Sequence, residues 1–138
     1  MWTLQKGVKL VHIDQHSDMN ANDFFLENET WEDVVSFTNE KCNVWNFILP
    51  ALHSHLIDDI EQIRTEQKLL FYLGEHYPYI LDIDLDFWDP KMGIQDYKWT
   101  LYKVKKLMGN AILVTIATSP YFLDQEYAID LAKSLLEV

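Results

Sequence analysis

A three-layer α/β/α fold built on a mainly parallel sheet is what this sequence predicts, and three observations carry the prediction. Short apolar, β-branched segments alternate with longer stretches of helical spacing, so the strands are joined by crossover helices and not by hairpins. Two such segments run straight into acid-rich loops, Val11-His12-Ile13-Asp14-Gln15-His16-Ser17-Asp18-Met19-Asn20 and Leu81-Asp82-Ile83-Asp84-Leu85-Asp86-Phe87-Trp88-Asp89-Pro90. A third segment, Ala111 to Ala117, is the clearest strand, as expected for a sheet covered on both faces.

The elements follow in order. Val8 to Ile13 is β-branched and loosely alternating, and reads as a buried strand ending at the first acidic cluster. Asn20 to Thr30 is polar and turn-like around Phe24-Phe25-Leu26, and Thr30 is placed to cap a helix over Trp31 to Thr38. A further helical stretch is expected over about 44–63, with Pro50 kinking it or opening its second half. Lys68 to Leu73 reads as a short strand, and Tyr79 to Asp84 as a stronger one. Tyr97 to Met108 carries apolar residues at helical spacing and stops at Gly109, while Asp124 to Glu137 closes the chain as an amphipathic helix. Both acidic clusters then fall at carboxyl ends of parallel strands, where open α/β sheets place their ligand sites.

The 138 residues, 49% hydrophobic and 14% aromatic, suit one domain over 1–138 with a real core. A formal charge of −11 argues against nucleic acid and anionic membranes as partners, because both attract positive surfaces. Cys42 is the single cysteine, so no internal disulfide forms and a reducing, cytoplasmic setting is expected. No apolar run reaches membrane-spanning length, and Met1 to Lys6 lacks the layout of a signal peptide. Without such a signal, Asn28-Glu29-Thr30 is read as an ordinary loop and not as a glycosylation site.

Asp14, His16 and Asp18 lie at i, i+2 and i+4, and on extended backbone each step advances about 6.6 Å, so they converge only if the chain curls after Asp14. Asp84 and Asp86 repeat the spacing on a second strand. Four ionised carboxylates about 5 Å apart would repel by roughly 3 kcal/mol per pair at an effective dielectric of about 20. Two divalent cations would cancel the charge of Asp14, Asp18, Asp84 and Asp86, and oxygen donors with a single imidazole favour manganese, with iron or zinc as alternatives. A water between two such ions is acidified toward neutrality and becomes a hydroxide nucleophile at cellular pH. An EF-hand reading of Asp82, Asp84 and Asp86 fails, because the sixth position is Phe87 and the twelfth Gly93. An Asp-x-Asp phosphotransferase would leave the first cluster unexplained, and solvated acidic loops would leave unexplained why both clusters follow apolar strands.

The two motifs, Asp14-Gln15-His16-Ser17-Asp18 and Asp84-Leu85-Asp86-Phe87-Trp88-Asp89-Pro90, resemble those of the arginase and deacetylase superfamily, whose ureohydrolase branch carries Asp-x-His-x-Asp and Asp-x-Asp-x-x-Asp-Pro after two strands. His12 to His16, Asn46 to Ala51, Asp82 to Trp88 and Thr118-Ser119-Pro120 look most like an arginase-like family that includes peptide arginases. The resemblance implies that Asp14 and Asp84 bridge two metals, that His16 and Asp86 complete one shell and that Asp18 binds the other ion. It makes Asp14, His16 and Asp84 catalytic through the hydroxide they help to hold, and gives Asn20 a substrate contact. Two departures stand out. Ureohydrolases take another histidine from upstream of the first motif, where this chain has thirteen residues, so the fold is expected to be shortened at its amino terminus or divergent, the second metal site to be weakened, or His12 to substitute. Where they use a late glutamate to hold the guanidinium, this chain has Ala117-Thr118-Ser119.

His12 shares the strand face of Asp14 one step deeper, and is expected to be a buried supporting histidine, with Asp89 in a similar outer role. Tyr121 follows the last strand and is a candidate substrate contact that steadies an oxyanion. His53 and His55 would point to different sides of a helix, Asn46 fits helix packing as well as the site, and the tryptophans read as core or interface anchors. The expected function is a manganese-dependent binuclear hydrolase converting the arginine of a peptide or a small guanidino compound to ornithine and urea. The alternatives are a one-zinc amide hydrolase of deacetylase type and a catalytically silent metal-binding partner module; sheet edges left open at a shortened amino terminus would suggest a homo-oligomer.

Overall fold

Residues 7–21, 25–28 and 30–137 are described in a computed structural model of the protein; Trp2 with the rest of the amino-terminal hexapeptide, Phe24 and Glu29 lie outside them. The elements are β1 (Val8–Ile13), α1 (Trp31–Glu40), α2 (Ile48–His53), β2 (Ile57–Ile63), α3 (Glu66–Phe71), β3 (Tyr79–Asp84), α4 (Tyr97–Met108), β4 (Leu113–Ala117) and α5 (Gln125–Leu136). Two 3-10 turns, Leu85–Trp88 and Pro90–Met92, follow β3. The chain divides into two compact units, one made of Met1–Val8 and Ser17–Asp59, the other of Lys9–His16 and Ile60–Val138. Among the described residues no helix is long and apolar enough to cross a membrane.

In the first unit, Thr30 caps α1 by accepting a hydrogen bond from Asp33 N at 3.2 Å, and Glu32 and Asp33 place negative charge in the first turn. The helix expected over about 44–63 is corrected: α2 ends at His53, and 57–63 is strand β2. Ile57, Ile60 and Ile63 recur every third residue, close to a helical period, so the apolar pattern could not mark a strand. The polar Asp58, Asp59 and Glu61 suit the place β2 takes at one edge of the sheet, where charge blocks further pairing.

The sheet has four parallel strands in the order β2-β1-β3-β4, flanked by helices. The short strand expected at Lys68 to Leu73 is also corrected, because this segment belongs to α3 as far as Phe71. Thr65 caps that helix, accepting from Lys68 N at 3.2 Å, and a brief apolar run such as Leu69-Leu70-Phe71 does not by itself separate strand from helix. The other elements lie within a few residues of their expected bounds. Asp96 and Asp124 cap α4 and α5 by accepting from Trp99 N and Tyr127 N.

Strand alternation decides what each face of the sheet carries. Val11 and Ile13 of β1 and Tyr79, Leu81 and Ile83 of β3 share one buried cluster with Leu69 of α3, Val104 and Leu107 of α4, and Leu131 and Leu135 of α5. Tyr79 keeps its hydroxyl satisfied there by donating to Leu107 O at 2.6 Å, and Trp88 donates its indole N–H to Thr100 Oγ1 at 2.9 Å. The intervening positions fall on the opposite face. The register pairs His12 with Asp82 and Asp82 with Thr115, so these three polar residues form one row across β1, β3 and β4.

Candidate metal centre

The row leads to the carboxyl ends of β1 and β3, where the chain stops being extended. Asp14, Gln15 and His16 bend immediately after β1, and the turn at Leu85–Trp88 begins directly after Asp84. Curling shortens the distance between residues two apart, which an extended strand would hold about 6.6 Å from one another. The result is two sets of ligand atoms. His12, Asp14 and Asp84 form one and Asp14, His16 and Asp86 the other, with atoms in each set no more than 4.8 Å apart. Asp14 belongs to both.

Within the second set, His16 Nδ1 lies 3.4 Å from Asp14 Oδ1 and 3.1 Å from Asp86 Oδ2. His16 also donates its backbone N–H to Asp14 Oδ1 at 2.9 Å, which fixes that carboxylate against the bend. Gln15 Nε2 donates to Asp86 Oδ2 at 3.0 Å, and Arg64 holds the loop by donating to Gln15 O at 2.8 and 3.2 Å. The Phe122 ring packs on the His16 imidazole with centroids 4.6 Å apart. In the first set, His12 Nε2 stands 3.3 Å from Asp14 Oδ2, while Ser119 Oγ donates to Asp84 Oδ1 at 2.7 Å. Ser119 sits at φ 47°, an uncommon conformation for a residue with a Cβ, and its hydroxyl is turned onto the carboxylate from there.

The electrostatics show acids held together against their charge. Burial pushes Asp84 up to about 7, helped by the carboxylates of Asp14, Asp82 and Asp86 and opposed by the Ser119 hydrogen bond. Asp86 is likewise raised, by burial and by Asp14, against hydrogen bonding from Gln15 and the charge of His16. Asp14 is also disfavoured by burial, yet hydrogen bonds from His12 and the His16 backbone carry it well below the ordinary carboxylate range. Burial would lower the His12 imidazole, but hydrogen bonds to Asp14 and Asp82, with their charges, raise it to about 10.

The donors fit a divalent cation. Asp86 is 1% exposed, and its Oδ1 is buried without a hydrogen-bond partner. A buried carboxylate oxygen left so is costly unless a cation meets it. This cluster of buried His and Asp residues could hold a metal ion.

The other expected site residues lie as follows. Asp18 belongs to the first unit, buried, with its backbone in the left-handed region at φ 50°. Asn20, exposed in the same unit, donates its backbone N–H to Trp45 O at 2.8 Å. Tyr121 is 91% exposed. Asp89 is buried and caps the second 3-10 turn by accepting from Lys91 N at 2.9 Å. Asn46 closes its own loop, accepting from Asn43 N and donating to Lys41 O. His53 packs on Phe25, and His55 follows α2 at φ 52°. Sequence reasoning gave no role to Thr115, Ser119, Gln15, Arg64 or Phe122, which position the ligands. Alternation along β3 did carry a signal for Asp82, since it shares a strand face with Asp84.

Comparison of the chain with protein-family models, with curated proteins and with solved structures gave no match.

Proposed function

We propose that the chain is a metal-dependent hydrolase of C–N bonds that uses two divalent ions, manganese by preference, and acts on the guanidinium carbon of an arginine in a peptide or small molecule. The observation that carries this reading is the Asp14 carboxylate shared by two ligand sets, with Oδ2 toward His12 and Oδ1 toward His16. Carboxylate oxygens with one imidazole per set suit hard first-row cations better than a thiolate-type zinc site does. Such ions, when bound, supply Lewis acidity and bring the pKa of water toward neutrality.

The chain's own residues orient and hold. Ser119 fixes Asp84 by its hydroxyl, Gln15 fixes Asp86, and Phe122 limits rotation of the His16 ring. A formal charge of −11 favours the approach of a cationic guanidinium over that of an anion. Asp18 as a further carboxylate ligand, and Asn20 and Tyr121 as substrate contacts, are assigned by their sequence positions.

The test is elemental analysis of protein purified without chelator, followed by assay of urea and ornithine from an arginine-containing peptide, free arginine and agmatine. Two manganese ions per chain and urea release are expected. A folded, manganese-loaded protein inert toward all three substrates would overturn the proposal, and one tightly held zinc per chain would point to amide hydrolysis instead.

A further inference from the structure

We propose that His12 is itself a metal ligand through Nε2, supplying the nitrogen of the set it shares with Asp14 and Asp84, and that Asp82 and Thr115 are positioning residues that hold its ring. The inference rests on the metal-site reading above and specifies how its first ligand set is built.

His12 is fully buried, so both ring nitrogens must be accounted for inside the protein. Nδ1 lies 3.0 Å from Asp82 Oδ2, and the other oxygen of that carboxylate accepts the Thr115 hydroxyl. Pairing of His12 with Asp82 and of Asp82 with Thr115 in the sheet register makes this row a rigid support. A carboxylate on one imidazole nitrogen fixes the tautomer in which that nitrogen carries the proton, and leaves a lone pair on the other. The other nitrogen, Nε2, faces Asp14 Oδ2 at 3.3 Å. In that neutral form the lone pair repels the carboxylate oxygen unless a cation lies between, and without a metal ion a second proton takes that place. Bonds of about 2.1 Å from one cation to N and O place these two atoms about 3.0 to 3.4 Å apart for octahedral to tetrahedral angles. The observed separation falls in that interval, as do the 3.1 and 3.4 Å separations around His16 in the second set. Asp86 Oδ1, buried without a partner in that neighbouring set, points independently to a cation.

The rival arrangement is a doubly protonated His12 clamped between Asp82 and Asp14, a purely structural role. Long-range proton–nitrogen spectra of the labelled full chain, titrated with zinc, separate the two. The expected result is a metal-dependent shift of His12 Nε2 while Nδ1 keeps its proton. An Nε2 that stays protonated at metal saturation overturns the inference and leaves the proposed function standing, whereas failure of the wild-type chain to bind any ion overturns both. Asp82→Asn, which preserves shape, is expected to weaken manganese binding by about 10- to 100-fold. Unchanged manganese affinity in that variant would refute the positioning role. His12→Gln is expected to retain one ion where the wild-type chain holds two, and retention of both would refute ligation. If this variant does not fold, the spectra of the wild-type chain and of Asp82→Asn still decide.

Discussion

His12 Nδ1 and Asp82 Oδ2 stand 3.0 Å apart at paired positions of β1 and β3, so a histidine–carboxylate contact is built into the face of a sheet whose other face is apolar core. Buried polar networks of this kind are tolerable only when nearly every group in them is satisfied. Here Thr115 and Asp14 extend the row at either end. The buried supports of the acids should therefore matter as much as the acids themselves.

Ser119→Ala removes the hydroxyl that holds Asp84. Manganese affinity is expected to fall by about 10- to 100-fold, in the range for loss of an outer partner of a ligand. Titration calorimetry checks this, and affinity equal to wild type would show that Asp84 needs no such support.

The stability of chelator-treated protein should fall as pH rises. Asp84 is raised to about 7, so its contribution is full below the unfolded carboxylate value of about 3.9 and is lost as pH climbs through about 7. His12, raised to about 10, contributes fully below about 6.5 and loses that contribution as pH rises through about 10. Asp14, depressed, has the opposite sign: its contribution is present above about 3.9 and lost at more acidic pH. Melting temperatures measured in EDTA from pH 4 to 10 should therefore decline, and manganese should reverse the decline. In Asp84→Asn the decline between about pH 4 and 7 should become shallower, leaving the part carried by Asp86, which is raised to about 6; a slope unchanged from wild type would assign it elsewhere.

Leu131, 1% exposed, lies on the face of α5 that joins the core under β3. Leu131→Ala is expected to cost about 2–5 kcal/mol, the lost transfer energy plus that of the cavity. Urea denaturation measures the loss, and a cost well below 1 kcal/mol would mean that α5 is not packed as described.

Asp96 accepts from Trp99 N at 2.9 Å as the cap of α4. Asp96→Ala should destabilise the protein by about 1 kcal/mol, while Asp96→Ser should recover most of it. The same denaturation experiment compares the two.

Much of the fold was legible because its signals are local. The β-branched run before Asp14, the cap at Thr30, and Gly109 after the helical spacing of 97–108 each mark an element from within a few residues. The failures came where a local pattern served two periods. Ile57, Ile60 and Ile63 fit a helix as well as they fit an edge strand, and only the neighbouring β1 makes them a strand. In the site, the acids and His16 declared themselves by spacing, whereas Ser119, 35 residues from the Asp84 it contacts, did not.

By itself the sequence determined which residues carry charge toward the ends of apolar strands, because composition and spacing are properties of the chain alone. Only the tertiary structure decided that His12 meets Asp82, 70 residues away, and that Asp84, expected beside Asp14 in both groups of candidate ligands, belongs to one of them. The physical reason is that register between parallel strands is set by how their apolar faces pack. No short stretch of either strand contains that information.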